Sequence, residues 1–135
     1  MSNLPILVVD DNEFIRASMV KFLQSNRYNV VGVSHAQDAM HELREGEFAL
    51  VVTDVLMPDT DGFELVDYIR GYDEPMKSTP IIAISGGGRS VDASAVLGAL
   101  EEKVELILKK PFSKQDLLDH VAVLMNKDGK TQNIS

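Results

Sequence analysis

Charged side chains follow three separate apolar runs, and this arrangement constrains the fold more than any other feature of the sequence. The runs cover residues 6–9, 49–53 and 104–108, and they lead into Asp10 and Asp11, Asp54, and Lys110, respectively. Short, near-continuous apolar runs are typical of strands in a parallel sheet that is buried on both faces. Three strand ends that each deliver charge predict a single site, with carboxylates to hold a divalent cation, one carboxylate to react, and a lysine to bind anionic oxygens.

Apolar runs alternate with segments of helical period, the order expected of a parallel sheet with crossover helices. Strands are predicted over residues 6–10, 29–34, 49–54, 80–85 and 104–108, and helices over residues 13–24, 36–45, 62–70, 91–100 and from about 114. This pattern predicts a doubly wound α/β fold, a three-layer sandwich around a five-stranded parallel sheet. Ligands of such sheets lie outside the carboxyl ends of the strands, where Asp10, Asp54, Ser85 and Lys110 all fall.

Local signals mark the helix ends. Asn12 and Ser113 are expected to cap the first and fifth helices, and Gly46 is expected to stop the second. The helical period places apolar side chains toward the sheet. These are Ile15, Met19, Phe22 and Leu23, then Leu65 and Ile69, then Val91, Ala95 and Leu100, and finally Leu117, Val121 and Leu124.

Length and composition limit the class of protein. The 135 residues suffice for one domain, expected over residues 1–126 with a polar tail at 127–135. A net charge of -8 argues against general nucleic-acid binding. No apolar run approaches the ~20 residues of a membrane helix, and the N-terminus lacks a signal-peptide core. The absence of cysteine excludes disulfides and thiolate metal sites and is compatible with a cytoplasmic location.

Asp10, Asp11 and Asp54 bring three carboxylates to one predicted crevice. Such a cluster repels itself unless a cation intervenes, and oxygen ligands suit Mg2+. No histidine lies at these strand ends, which disfavours zinc. The alternative is that Asp10 and Asp11 merely begin a helix, where acidic groups interact well with the dipole. The matching positions of Asp54 and Lys110 favour the cation site.

A carboxylate can attack phosphorus and form an acyl phosphate. Such a transfer depends chiefly on positioning and on charge neutralisation, which a cation and Lys110 would supply. Ser85 can donate a hydrogen bond to a phosphoryl oxygen, although taken alone it is an ordinary loop serine. The glycines at 86–88 lack the pattern of a phosphate-binding P-loop and are interpreted as a mobile connection, with an anion-binding nest as the alternative.

These residues resemble the receiver domain of bacterial two-component response regulators, the family of the chemotaxis response regulator. The resemblance covers essentially residues 4–125. It is carried by several motifs in order: Asp10-Asp11, Asp54 with Met57-Pro58 and Asp61-Gly62, Ser85 before a small residue, and Lys110-Pro111-Phe112. Each motif alone is weak, but all of them at the proper strand ends are specific. The resemblance implies a flavodoxin-like sandwich with strand order 2-1-3-4-5.

The resemblance also implies a role for each site residue. Asp54 is expected to be the phosphoacceptor, and Lys110 and Ser85 to bind the phosphoryl group together with the Gly86 amide. Mg2+, or Mn2+, is expected on Asp11, Asp54 and the Leu56 carbonyl, with Asp10 holding metal-bound water. A cis Lys110–Pro111 peptide bond is expected as well.

Two features depart from the family pattern, and a third concerns chain length. Ile107 stands where the last strand usually carries Tyr or Phe, so the aromatic side chain that switches with the serine is missing. The loop after Ser85 is unusually rich in glycine. Since the sequence ends after the fifth helix, no output domain is expected.

The leading hypothesis is a single-domain response regulator in a phosphorelay, not an enzyme acting on other substrates. Its donor would be a histidine kinase or a histidine phosphotransfer protein, and its target an unknown protein, with no direct contact to nucleic acid or membrane. One alternative is an aspartate-nucleophile phosphatase, which prefers an acid two residues past the nucleophile, where Leu56 stands. Another is an interaction module that works without phosphorylation.

Overall fold

The computed structural model of the protein describes residues 3–55, 62–86 and 98–129, with side chains from residue 63 in the second range and up to residue 126 in the third. Its strands are β1 (Ile6–Val9), β2 (Val30–Val33), β3 (Leu50–Asp54), β4 (Ile81–Ser85) and β5 (Leu106–Lys109). Its helices are α1 (Glu13–Ser25), α2 (Ala36–Glu45), α3 (Gly62–Arg70), a helical segment at residues 98–101 (α4) and α5 (Lys114–Gly129), with a short 3-10 helix at Met76–Ser78.

The five strands form one parallel sheet in the order β2-β1-β3-β4-β5, which confirms the predicted fold. The register pairs Val9 with Thr53, Asp54 with Ile84, and Ser85 with Lys109. Because all strands run in the same direction, their carboxyl ends share one edge of the sheet. The charged residues that follow the strands are therefore delivered to that edge.

Alternation of side chains along the strands divides the core into two layers. Even-numbered strand residues such as Val8 and Val52 pack under α1 and α5, together with Leu23 and Leu117. Odd-numbered residues such as Val51 pack under α2 and α3. Full burial of one such aliphatic side chain stabilises the fold by roughly 1.5–3 kcal/mol.

The predicted inward-facing residues are largely buried. Met19, Leu23, Leu65, Ile69, Leu100, Leu117, Val121 and Leu124 are all part of the core. Ile15 and Phe22 are partly buried against it, because they lie at the margin of the α1 face that meets the sheet. Val91 and Ala95 lie outside the described residues.

Helix ends follow the predicted caps, with one difference. The Asn12 side chain accepts a hydrogen bond from the Ile15 amide at 2.9 Å. The Ser113 hydroxyl accepts one from the Asp116 amide at 3.0 Å, and the Asp116 carboxylate accepts the Ser113 amide in return. Gly46 ends α2 as predicted, but its φ of -163° is extended backbone that any residue adopts.

Strand limits differ slightly from the predicted ones. β5 begins at Leu106 rather than at residue 104 and extends through Lys109, while the other strands are shorter by one or two residues. At these ends the regular strand pairing gives way to single backbone hydrogen bonds, such as that from the Asp10 amide to the Val33 carbonyl. α5 continues to Gly129, three residues into the predicted tail. In the described part of the chain, no helix combines the length and the apolar character that crossing a membrane requires.

Candidate functional site

The predicted site residues converge at the carboxyl edge of the sheet. Asp10 directly follows β1, Asp54 ends β3, Ser85 ends β4, and Lys110 directly follows β5. A hydrogen bond from the Lys110 amide to the Ser85 carbonyl, 2.9 Å long, ties the ends of β4 and β5 together. The Lys110–Pro111 peptide bond is cis, as the resemblance implies; the cis bond at Glu74–Pro75 was not predicted.

Lys110 and Asp54 form an ion pair across the site. The Lys110 Nζ lies 3.4 Å from the Asp54 Oδ2, although the two residues belong to strands that flank β4. The Asp54 side chain is 10% exposed and that of Lys110 is 32% exposed. The carboxylate is thus largely buried, while the ammonium group beside it is partly open to solvent.

Asp10 is the most deeply buried acid at this edge, with 1% of its surface exposed. Its Oδ1 accepts the Asn12 amide at 2.9 Å, whereas its Oδ2 is buried without a hydrogen-bond partner among the described residues. Burial raises the pKa of Asp10, and the neighbouring charges of Asp54 and Asp11 raise it further, against the lowering effects of the Asn12 amide and Lys110. A buried carboxylate oxygen without a partner is costly, and a cation in the crevice would supply that partner.

The structure brings together part of the predicted metal-binding set. By register, Asp10 and Asp54 extend the paired positions Val9 and Thr53, so their side chains leave neighbouring strands toward the same face. Asp11 is half-buried beside them. Over residues 3–55, 62–86 and 98–129, no three Asp, Glu or His side chains are already gathered into a metal site. Leu56, whose carbonyl the resemblance assigns to the metal, lies outside those ranges.

The donor chemistry nevertheless fits a hard cation. The two buried carboxylates offer only oxygen, and the unpartnered Asp10 Oδ2 lies at the same edge as Asp54. Mg2+ commonly takes one or two carboxylates and completes its shell with water and phosphate oxygens. The residues present therefore fit Mg2+ with an incomplete protein shell.

Ser85 occupies a different register series from Asp54. Asp54 and Ile84 are paired, so Ser85 alternates to the face that Ala83 and Ile107 share. Ser85 is 1% exposed, and Gly86 after it is exposed. A contact between the Ser85 hydroxyl and a group on Asp54 would require its side chain to turn at the strand end. Residues 87–97 lie outside the described ranges.

Arg16 is a site-edge residue that the sequence interpretation missed. Arg16 lies at the start of α1, and its guanidinium Nη1 donates a hydrogen bond of 2.8 Å to the Asp10 carbonyl. The signal available in the sequence was a cation six residues after Asp10, on a helix that starts directly behind the strand. The helical period alone assigns no role to that position.

Comparison with known proteins places these features in a family. The response regulator receiver domain matches residues 6–122 of the chain. The transcriptional regulatory protein GltR of Pseudomonas aeruginosa is 35% identical over 127 residues, which are 94% of this chain and 51% of that protein. ResD of Bacillus subtilis, also a transcriptional regulatory protein, is 31% identical over 93% of this chain and 50% of its own length. The chain spans about half the length of these relatives.

Solved structures agree with this match. The signal receiver domain of a signal transduction histidine kinase from Syntrophus aciditrophicus superposes with a TM-score of 0.82 at 24% identity, covering 98% of this chain and 97% of that one. The chemotaxis protein CheY4 of Vibrio cholerae gives a TM-score of 0.75 at 26% identity, covering 90% and 98%. The chain belongs to the family of response regulator receiver domains.

Proposed function

We propose that Asp54 is the phosphoacceptor of this receiver domain and that its phosphorylation switches the binding of a protein partner or passes the phosphoryl group on. The observation that carries the proposal is the Lys110–Asp54 pair, 3.4 Å apart at the carboxyl edge, with the buried Asp10 beside it. An ammonium group in contact with the reacting carboxylate is placed to bind the oxygens of an incoming phosphoryl group.

The reaction itself is a displacement at phosphorus. An oxygen of Asp54 attacks the phosphoryl group of a phosphohistidine, the P–N bond breaks, and the imidazole leaves and takes up a proton from water. An acyl phosphate forms on Asp54. Lys110 moves from the unphosphorylated Asp54 carboxylate to the new phosphoryl oxygens, and the Ser85 hydroxyl and the Gly86 amide donate to them after Ser85 turns. Asp54 then carries a larger and more negative group close to the strand ends at Ser85 and Lys110.

Asp10, Asp11, Asp54 and the Leu56 carbonyl would hold the Mg2+ ion (or Mn2+), directly or through water. When bound, the cation neutralises the charge that accumulates on the transferring phosphoryl oxygens. The unpartnered Asp10 Oδ2 supports this assignment. Without the cation, three carboxylates oppose the approach of a further anion.

The partners follow from this chemistry. A histidine kinase or a histidine phosphotransfer protein would donate the phosphoryl group, and a downstream protein would recognise the phosphorylated form, in the cytoplasm and without direct contact to nucleic acid or membrane. The domain acts only on its own aspartate and is not an enzyme for other substrates. Action without an attached output domain stays a prediction, since the matched relatives are about twice as long.

Incubation with Mg2+ and acetyl phosphate, followed by intact mass measurement, tests the proposal. One phosphoryl group should appear on the protein and be absent from Asp54→Asn. Mg2+ binding without labelling would favour an interaction module that works without phosphorylation. Sustained release of phosphate from small phosphate esters by the wild type would instead favour a phosphatase.

A further inference from the structure

The carbonyl of Asp10 receives its hydrogen bond from outside the sheet. β2 ends at Val33, whose carbonyl already accepts the Asp10 amide at 3.1 Å. Because β2 ends there, it supplies no backbone N–H to the Asp10 carbonyl. The guanidinium Nη1 of Arg16 is the donor instead, at 2.8 Å.

This bond completes the fixation of Asp10. The amide is held by Val33, the carbonyl by Arg16, and the side-chain Oδ1 by the Asn12 amide at 2.9 Å. Three restraints from β2, from α1 and from the connecting turn thus orient a carboxyl group whose Oδ2 has no hydrogen-bond partner in the described part of the chain. The same backbone continues directly into Asp11.

Gly32 provides the space that α1 needs to lie close to β2, with Val20 as its tightest neighbour and Arg16 beside it. A Cβ atom at Gly32 would lie 2.9 Å from the Val20 Cγ2, and 3.4 and 3.5 Å from the Cγ and Cδ of Arg16. Both side chains belong to α1, so a larger residue at 32 would push that helix away from the edge of the sheet. The stem of Arg16 crosses the bare backbone of Gly32 on its way to the Asp10 carbonyl.

We infer that Arg16 is a positioning residue that fixes the carboxyl end of β1, so that Asp10 and Asp11 are held ready for the cation, and that Gly32 is the notch that lets α1 lie close enough for Arg16 to reach the Asp10 carbonyl. The inference rests on the proposed function, because the cation is the one expected there. Arg16 touches neither the cation nor the phosphoryl group; it acts on the backbone that carries their ligands. Residues that orient metal ligands in this way typically change metal affinity by 10–100-fold when removed.

Two substitutions of Arg16 separate the guanidinium from its aliphatic stem. Arg16→Met keeps a stem that packs over Gly32 but removes the donor. Arg16→Lys keeps a charged donor on a shorter side chain. We expect Arg16→Met to raise the Kd for Mg2+ about 10-fold and to slow labelling by acetyl phosphate, and we expect Arg16→Lys to recover part of both losses.

Gly32→Ala tests the notch, and Gly46→Ala is its matched control. Gly46 has extended backbone and no atom within 4 Å of an added Cβ, so its substitution should leave Mg2+ affinity unchanged. Gly32→Ala should weaken Mg2+ binding in the same direction as Arg16→Met. If it acts through Arg16, the double variant should bind Mg2+ no more weakly than Arg16→Met alone, which is the non-additivity of a coupled pair.

A readout without metal keeps this inference separate from the proposed function. Amide hydrogen exchange of Asn12, whose N–H is bonded to Asp10, should be faster in metal-free Arg16→Met than in the wild type and restored in Arg16→Lys. A wild type that neither binds Mg2+ nor takes up phosphate would contradict the proposed function and leave this exchange test standing. Wild-type Mg2+ affinity and wild-type Asn12 exchange in Arg16→Met would overturn the inference, as would equal losses in the Met and Lys variants.

Discussion

The ammonium nitrogen of Lys110 lies 3.4 Å from the Asp54 carboxylate, having crossed the end of β4 from a strand that does not pair with β3. The backbone amide of the same lysine donates to Ser85, the last residue of the intervening strand. Lys110 thus contacts both the proposed reaction centre and the proposed switch residue. A change in charge at Asp54 can therefore act on one residue whose side chain and backbone together connect the ends of β3, β4 and β5.

Asp54→Asn should abolish phosphorylation and leave the fold intact, because the amide is nearly isosteric with the carboxylate but is not a nucleophile. Intact mass after treatment with acetyl phosphate and Mg2+ measures the loss, and far-ultraviolet circular dichroism checks the fold. Asp38→Asn, an exposed acid in the first turn of α2, is the matched control and should be labelled like the wild type. A stable phosphoryl adduct on Asp54→Asn would mean that another residue accepts the group.

Lys110→Ala should slow phosphorylation and blunt the structural response while leaving Mg2+ affinity largely unchanged. The proposed cation site consists of carboxylates and a carbonyl, and removal of a nearby positive charge does not take a ligand away. Mg2+ titration followed by NMR, combined with the rate of labelling, separates the two effects. Lys109→Ala changes the neighbouring exposed lysine and should behave like the wild type. Equal labelling rates in the two variants would show that Lys110 has no special role.

Much of this geometry could be predicted from the sequence because apolar runs and strand-end charges are local signals. The direction of the strands, the caps at Asn12 and Ser113, and the edge shared by Asp10, Asp54 and Lys110 follow from them, whereas the order of the strands followed from the family resemblance. Contacts between distant segments are different in kind. That Arg16 passes over Gly32 depends on how closely α1 approaches β2, which neither residue reveals alone.

The face of the sheet on which Ser85 lies could not be predicted for a related reason. Its position at the end of an apolar run places it near Asp54, but only the register of β3 with β4 shows that it belongs to the opposite face. Register is set by packing across the sheet rather than by the strand itself. The assignment of the Leu56 carbonyl and of the loop at 87–91 concerns residues outside the described ranges.

Asp10→Asn should stabilise the metal-free protein by about 1 kcal/mol, since burial disfavours the ionised carboxyl group and raises its pKa. The amide oxygen can still accept the Asn12 amide. Urea unfolding in the presence of a chelator measures the gain. Added Mg2+ should then stabilise the wild type more than the variant, because the variant has lost one anionic oxygen donor. A variant that is less stable than the wild type without metal would contradict the electrostatic explanation.

Arg70→Met should destabilise the fold without affecting the site. The guanidinium donates to the carbonyls of Lys77, Thr79 and Lys103 and to the Glu105 carboxylate, at 2.7–2.9 Å. These partners precede β4 and β5, at the edge opposite Asp54. Loss of several such bonds should lower the free energy of unfolding by about 2–3 kcal/mol, while labelling by acetyl phosphate keeps its wild-type rate.

Lys103→Met is the control for that prediction, because it removes one ion pair from the same edge. Lys103 and Asp67 are 2.7 Å apart, but their side chains are 48% and 58% exposed. Exposed pairs contribute at most about 1 kcal/mol. If the two variants lose equal stability in urea unfolding, then the bonds of Arg70 to three backbone carbonyls add nothing beyond surface charge.

Beryllofluoride with Mg2+ mimics the phosphoryl group and should move Ser85, Gly86 and Lys110 more than Ile107. Ser85 must turn from the face it shares with Ala83 to reach a group on Asp54, and its carbonyl is bonded to the Lys110 amide. Ile107 is partly buried against the core opposite Ala83 and has no hydroxyl to exchange partners. A ligand shifts a conformational equilibrium only through contacts that differ between the states.

Amide chemical shifts measured by NMR before and after addition give the comparison, with Asp54→Asn as the control in which the shifts should vanish. Large changes at Ile107 and its neighbours, with Ser85 and Gly86 unmoved, would show that the response travels through the last strand instead. We expect the reverse. The amide shifts of Gly86 and Lys110 should change most as Ser85 turns, and those of the paired residues Ala83 and Ile107 should change little.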